Sequence, residues 1–187
     1  MTVSAAAVTD ERLLIKRAQD GDRGAFADLV RQHRTGVVNV IYRMCGDAAL
    51  AEDAAQECFI RAWEHLHRYR PRSAFRNWLY RIATNCALTE LRRAKTEVDA
   101  DDVQLRDERQ GPEARLEQLE RAAAVQSAVL SLPEASRSAL VLREYEGLSY
   151  RDIAETLGIP VGTVMSRLNY ARRLLRSALA EYMEVAS

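Results

Sequence analysis

Glycine and proline are scarce in this chain, eight and four among 187 residues, as suits a protein built from helices. Aromatic residues make up 6%, yet 48% of the chain is apolar and 29% charged, a balance that excludes a disordered polyampholyte and allows one ordinary domain or two small ones. Cysteine is limited to Cys45, Cys58 and Cys86; the number is odd, the spacing wide and no CxxC pair exists. They are therefore expected to be core thiols in a reducing cytoplasm. His33, His65 and His67 form no spaced metal set with them, and a Gly-rich phosphate loop and a nucleophile elbow are both missing. Catalytic residues, a metal and a cofactor are accordingly expected to be absent. The first ten residues lack a basic segment followed by an apolar run, and no stretch reaches the roughly 18 apolar residues of a membrane span. The expected location is the cytoplasm, without membrane insertion.

Excess charge of one sign is also lacking, since the formal net charge is zero. Taken alone this disfavours a polyanionic partner, but the average hides a segregation. Between Arg61 and Lys95 stand Arg61, Arg68, Arg70, Arg72, Arg76, Arg81, Arg92, Arg93 and Lys95 against only Glu64 and Glu90. Asp99 to Glu120 holds eight acids against three arginines, and Val161 to Arg176 has four arginines and no acid. Two basic patches divided by an acidic stretch suit two contacts on one polyanion.

Helical periodicity runs through nearly all the rest. Thr9 and Asp10 are expected to cap a short helix with Leu13, Leu14 and Ala18 on its apolar stripe. A second helix carries Phe26, Leu29, Val30, Val37, Val40, Ile41 and Met44 and stops near Gly46; Asp47 caps a third. That third helix repeats Ala51, Ala54, Ala55, Cys58, Phe59, Ala62, Trp63 and Leu66 on one side. Its other side must then show Asp53, Gln56, Glu57, Ile60 and Glu64. After Pro71 the pattern resumes with Phe75, Leu79, Ile82, Ala83 and Cys86 and runs towards Arg93. From there to Gly111-Pro112 the periodicity vanishes and acids dominate, as in a flexible linker. The chain thus divides into an all-α domain over 1–95, a linker over 96–112 and a second all-α domain over 113–187. In the latter, helices are expected from Leu116 to Leu132 and from Ala139 to Tyr145.

Residues Ser149 to Ala178 follow the pattern of a helix-turn-helix. Ser149 and Asp152 have capping-box spacing, Ile153, Ala154 and Leu157 face inward, Gly158 permits the turn, and Val164, Leu168, Ala171 and Leu175 continue the core. The second helix would lay Ser166, Arg167, Asn169, Tyr170, Arg172 and Arg173 outward, with Thr163 and its positive end towards phosphate. In the first domain, Arg68, Tyr69, Arg70, Arg72 and Ser73 precede Phe75, Arg76, Asn77, Trp78, Tyr80, Arg81, Thr84 and Asn85. Basic groups that hold a backbone beside rings that stack on unpaired bases suit single-stranded or melting DNA. The mixed acidic and apolar face of Asp53, Gln56, Glu57 and Ile60 suits a basic partner helix. These features leave open a transcriptional regulator that binds duplex DNA without acting as a polymerase subunit.

Three segments in order, AEDAAQECFIRAW (51–63), SAFRNWLYRIATN (73–85) and GLSYRDIAETLGIPVGTVMSRL (147–168), resemble the extracytoplasmic-function group of RNA polymerase sigma factors. The resemblance spans about residues 10 to 178. It implies a non-enzymatic initiation factor in which a region 2-like domain (1–95) precedes a region 4-like helix-turn-helix domain (113–187). By the same resemblance, Asp53, Gln56, Glu57 and Ile60 dock the coiled coil of the polymerase's largest subunit. Arg70, Arg72, Ser73, Phe75, Trp78, Arg81 and Asn85 serve the −10 element. Arg143, Thr163, Met165, Ser166, Arg167, Asn169, Tyr170 and Arg172 serve the −35 element. Core RNA polymerase, including its flap region, promoter DNA and an anti-sigma factor are the implied partners. Met165 and Tyr170 stand where the family often has basic residues, Asn169 where an aromatic or His is common, and Thr89 where Asp is frequent.

Overall fold

Several helix boundaries follow from a local polar or backbone device. Asp22 accepts the Ala25 amide at 3.0 Å and starts α2 (Arg23–Cys45); Asp47 accepts the Leu50 amide at 2.8 Å and starts α3 (Ala48–His65). Gly46 closes α2 in the left-handed region at φ 82° while its amide donates to the Tyr42 carbonyl at 2.7 Å. The computed structural model describes residues 5–71, 73–98 and 113–180. Before α2 lies α1 (Ala5–Gln19), and after α3 a 3₁₀ turn (Leu66–Arg68) leads through a loop to α4 (Phe75–Val98). The second half comprises α5 (Glu113–Leu130), α6 (Glu134–Leu140) continued by a π turn (Val141–Tyr145), α7 (Tyr150–Leu157) and α8 (Val161–Ala178). No strand occurs among the described residues.

Two expectations are corrected. The first helix begins at Ala5, so Thr9 and Asp10 lie inside it rather than at its cap; three alanines, the best helix formers, carry the helix back past the candidate cap. Ile15, not Leu13, completes the buried stripe with Leu14 and Ala18. Further on, α4 continues to Val98, beyond Arg93 and into the stretch read as linker, and residues 99–112 of that stretch lie outside the described residues.

In the first domain α2 is packed by α1, α3 and α4. Val37, Val40, Ile41 and Met44 meet Ala51, Ala55, Cys58 and Ala62 of α3 and Leu79, Ala83 and Ala87 of α4. The alanines and Cys58 along α3 are small enough to let the three helices approach closely. Burial pushes the Cys45 thiol up to about 11. Cys58 and Cys86 are buried and unbridged, and the contact with Cys86, together with burial, pushes the Cys58 thiol up.

The two halves are packed together. Arg137 of α6 is buried among small neighbours, and its guanidinium donates to the Met44 carbonyl of α2 (2.5 Å) and to the carbonyls of Leu130 and Leu132 (2.9 Å to the latter). It thereby caps the orphan carbonyls at the end of α2 and α5. Arg43 donates to Gln126 at 2.7 Å and lies 4.5 Å from the Tyr145 ring centroid. Leu130 closes over Gly46, where a Cβ would lie 2.5 Å from its Cδ1. Because α6 is covered from several sides, residues 136 to 142 are all buried.

Candidate functional site

Three surfaces gather the residues singled out from the sequence. The first is the outer face of α3. With Ala54, Ala55, Cys58 and Ala62 turned into the core, Asp53, Gln56, Glu57 and Ile60 all face solvent, Ile60 at 54% exposure. Arg61 donates to Glu57 at 2.8 Å, leaving Ile60 as an apolar knob among carboxylates. A shallow groove runs from this face past Leu50, Asp53 and Glu57 to Glu90 and Arg93 of α4.

The second surface is built around the loop from Leu66 to Phe75. Gln19 of α1 donates to the carbonyls of Leu66 (2.9 Å) and Tyr69 (3.0 Å), and the buried Tyr69 donates its hydroxyl to the Ser73 carbonyl (2.9 Å). Tyr69, Phe75 and Trp78 form a ring cluster with centroids 5.2 to 5.4 Å apart. Phe75 is the plug of that cluster at 1% exposure. It therefore positions the loop in this conformation rather than offering a face to a base. Trp78 is half-buried and Ser73 half-buried, whereas Arg81 and Asn85 are exposed. Trp78, Arg81 and Asn85, at steps of three and four, share one side of α4. Arg70 is exposed, but its guanidinium donates to the carbonyls of His67 (2.9 Å) and Tyr69 (3.1 Å). Arg72 lies outside the described residues.

The third surface is the helix-turn-helix. Ser149 and Asp152 form the expected capping box at α7, and Gly158 turns the chain at φ 65° into α8. Val164, Leu168 and Ala171 are fully buried, which fixes the rotation of α8 and sends Met165, Ser166, Asn169 and Tyr170 to solvent. Thr163, Arg167 and Arg172 are half-buried at the edges. Arg172 donates to Glu144 at 2.8 Å, and that bond holds its guanidinium more firmly protonated. Arg143 donates to the Leu148 carbonyl at 2.8 Å and sits 5.1 Å from the Tyr150 ring centroid, so it braces the turn into α7.

Sequence reasoning missed how the second and third surfaces meet. Arg81 and Asn85 of α4 face Arg167 of α8 across a groove of about 340 Å³ that is also lined by Ser138 and Thr156. Neither the Arg81 nor the Arg167 guanidinium has a hydrogen bond or ion pair among the described residues. Beside this groove the two halves are tied by Tyr80, whose hydroxyl donates to Glu146, and by Asn77, which donates to Asp152 at 3.1 Å. A polar Asn77 amid the apolar stripe of α4, and Arg137 between two serines in α6, were the available signals. α4 packs on α7 rather than on α8, so the two cationic faces border one groove without touching, and a duplex seated at Arg167 would share that groove with Arg81 and Asn85.

The Sigma-70 region 2 family matches residues 29–97 and the Sigma-70, region 4 family residues 122–175. RNA polymerase sigma-H factor of Pseudomonas aeruginosa is 39% identical, covering 94% of this chain and 97% of its own length. ECF RNA polymerase sigma factor SigW of Bacillus subtilis is 36% identical over 89% of this chain and 95% of its own. Among solved structures, CnrH in complex with the cytosolic domain of CnrY superposes with a TM-score of 0.70 at 27% identity, covering 92% of this chain and 98% of that one.

Proposed function

Because this chain belongs to the extracytoplasmic-function RNA polymerase sigma factors, a non-enzymatic group that binds core polymerase and directs promoter-specific initiation, we propose that its surfaces divide that task residue by residue. The domain over 1–95 docks the coiled coil of the polymerase's largest subunit through Asp53, Gln56, Glu57 and Ile60. An exposed apolar residue ringed by carboxylates suits a basic helix with one apolar anchor. The same domain binds the −10 element through Arg70, Ser73, Trp78, Arg81 and Asn85, with Arg72 assigned by its place in the sequence alone. Trp78 supplies a ring for an unstacked base, Arg81 a phosphate contact, and Asn85 an amide able to read a base edge. Phe75 acts behind them by packing the loop.

The domain over 113–187 takes the −35 duplex. Thr163, Met165, Ser166, Arg167, Asn169 and Tyr170 enter or flank the major groove, while Arg143 and Arg172 set the helix and reach backbone phosphate. Residues 96–112 tether the two. Melting follows from binding: contacts made only with the unpaired −10 strand lower the free energy of the open complex, without nucleotide hydrolysis. Family membership disfavours the alternative of a duplex-binding regulator that works apart from polymerase. An anti-sigma protein that holds the two domains in a compact form is the fitting inhibitory partner, as CnrY is bound to CnrH, and the cytoplasm is the place of action.

The observation that carries this reading is that the guanidiniums of Arg81 on α4 and Arg167 on α8 border one groove and have no hydrogen bond or ion pair among the described residues. The test is transcription in vitro with purified core polymerase and a promoter library, comparing the intact chain with Asn85→Ala and Arg167→Ala. Asn85→Ala is expected to lose discrimination within the −10 element and Arg167→Ala to lose dependence on the −35 element. If both variants initiate at the same promoters with the same efficiency as the intact chain, the residue assignment is wrong.

A further inference from the structure

The solvent-exposed part of α8 carries large apolar side chains that folding does not require. Val161 is 43% exposed, Met165 48% and Tyr170 41%, whereas the opposite side of the helix, Val164, Leu168 and Ala171, is buried completely. The rotation of the helix is thereby fixed, and Met165 lies on its solvent side, flanking the exposed Ser166 and Asn169. No ring or polar contact within the described residues involves its thioether. What flanks it is cationic: Arg167, Arg172 and Arg173 occupy the same helix, which contains no acid from Val161 to Ala178. Such a surface suits a polyanion rather than an apolar protein partner.

We propose that Met165 is a specificity-determining residue that reads a thymine in the −35 element by its methyl group. The inference rests on the assignment of α8 to the −35 duplex made above. On the major-groove edge of a base pair, every recognition feature is a hydrogen-bond donor or acceptor except the thymine C5-methyl group. Methionine has no donor and only a weak acceptor, so guanine, cytosine and adenine edges offer it nothing, while the thymine methyl rewards it with apolar contact. Its unbranched side chain has three rotatable bonds and adapts to the methyl's position. One turn further on the same side, Asn169 is exposed with an amide of the kind that pairs with adenine. Ser166 already donates its hydroxyl to the Thr163 carbonyl at 3.0 Å, which leaves it to accept rather than donate. Met165 and Asn169 together favour A·T pairs under the first turns of α8.

The test uses holoenzyme reconstituted with the full chain and duplexes randomised across the −35 region. The intact chain is expected to select thymine at one position, and Met165→Ala to lose that bias while keeping the others. Met165→Leu, still apolar, retains it. On the selected duplex, replacing that one thymine by deoxyuridine removes only the methyl group. Affinity should fall about fourfold for the intact chain, the worth of one buried methyl, and not at all for Met165→Ala. The inference is overturned if the intact chain selects a −35 sequence without such a thymine, or if deoxyuridine costs both proteins equally. It is likewise overturned if Met165→Ala, folded by circular dichroism, weakens initiation at all −35 sequences alike, the mark of a protein contact. Failure of the intact holoenzyme to select any −35 sequence would instead sink the assignment of α8 on which this inference rests.

Discussion

Removing a single oxygen atom tests whether the packed arrangement of the two halves competes with DNA. Tyr80 is buried on α4, and its hydroxyl, donating to the Glu146 carboxylate just after the π turn, links the two domains. Tyr80→Phe keeps the ring that packs the first domain and deletes only that bond. A hydrogen bond to a charged group contributes about 1.5–3 kcal/mol. Glu146 is half-buried and regains water on opening, so the lower end applies, about tenfold in the ratio of closed to open chains. While the closed form dominates, apparent affinity scales with the open fraction. The variant should therefore bind a mixed-sequence duplex about tenfold more tightly at fixed salt, measured by fluorescence anisotropy without polymerase. Spin labels at Gln32→Cys and Ser177→Cys should report a broader, longer distance distribution. The same bond predicts a pH dependence. Burial, then Glu146, push the Tyr80 phenol above its usual value of 10. The closed form thus holds the proton more tightly, so its stability is full below pH 10 and declines as pH rises beyond it. Tyr80→Phe lacks that decline. Unchanged affinity and unchanged distances in a folded Tyr80→Phe protein would refute the idea that these contacts shield the DNA-binding faces.

Two further expectations follow from local geometry. Gly46→Ala places a Cβ at φ 82° and against Leu130; the left-handed backbone alone costs about 1–2 kcal/mol, so a thermal melt should shift down by several degrees, and an unshifted melt would show that the α2 terminus relaxes freely. Phe75→Ala and Trp78→Ala should separate packing from recognition: the first loses about 3–5 kcal/mol of stability as a core truncation, whereas the half-buried Trp78 should lose less stability but more open-complex formation, read by permanganate reactivity of unpaired thymines. Equal stability losses in the two would count against that division.

The two helical domains were legible because helix faces are written in sequence order. Cys58, Phe59 and Ala62 recur at the spacing that buries them together, and Asp53, Gln56, Glu57 and Ile60 fall on the opposite face by the same arithmetic. The capping box at Ser149 and the turn at Gly158 were likewise readable, since each depends on residues three or four apart. Phe75 was less so. A ring beside arginines looks the same in sequence whether it faces a base or a core, and only the meeting of Tyr69, Trp78 and His33 around it sends it inside.

By itself, then, the order of residues determined the helices, their apolar faces, the two cationic patches and the family. Tertiary structure alone decided that those patches face each other, that Arg137 closes the end of α2, and that Tyr80 finds Glu146. Periodicity reports which side of a helix avoids water, a property of neighbours a few residues apart. Partners 66 or 93 positions apart along the chain are chosen by packing, and no local pattern encodes that choice.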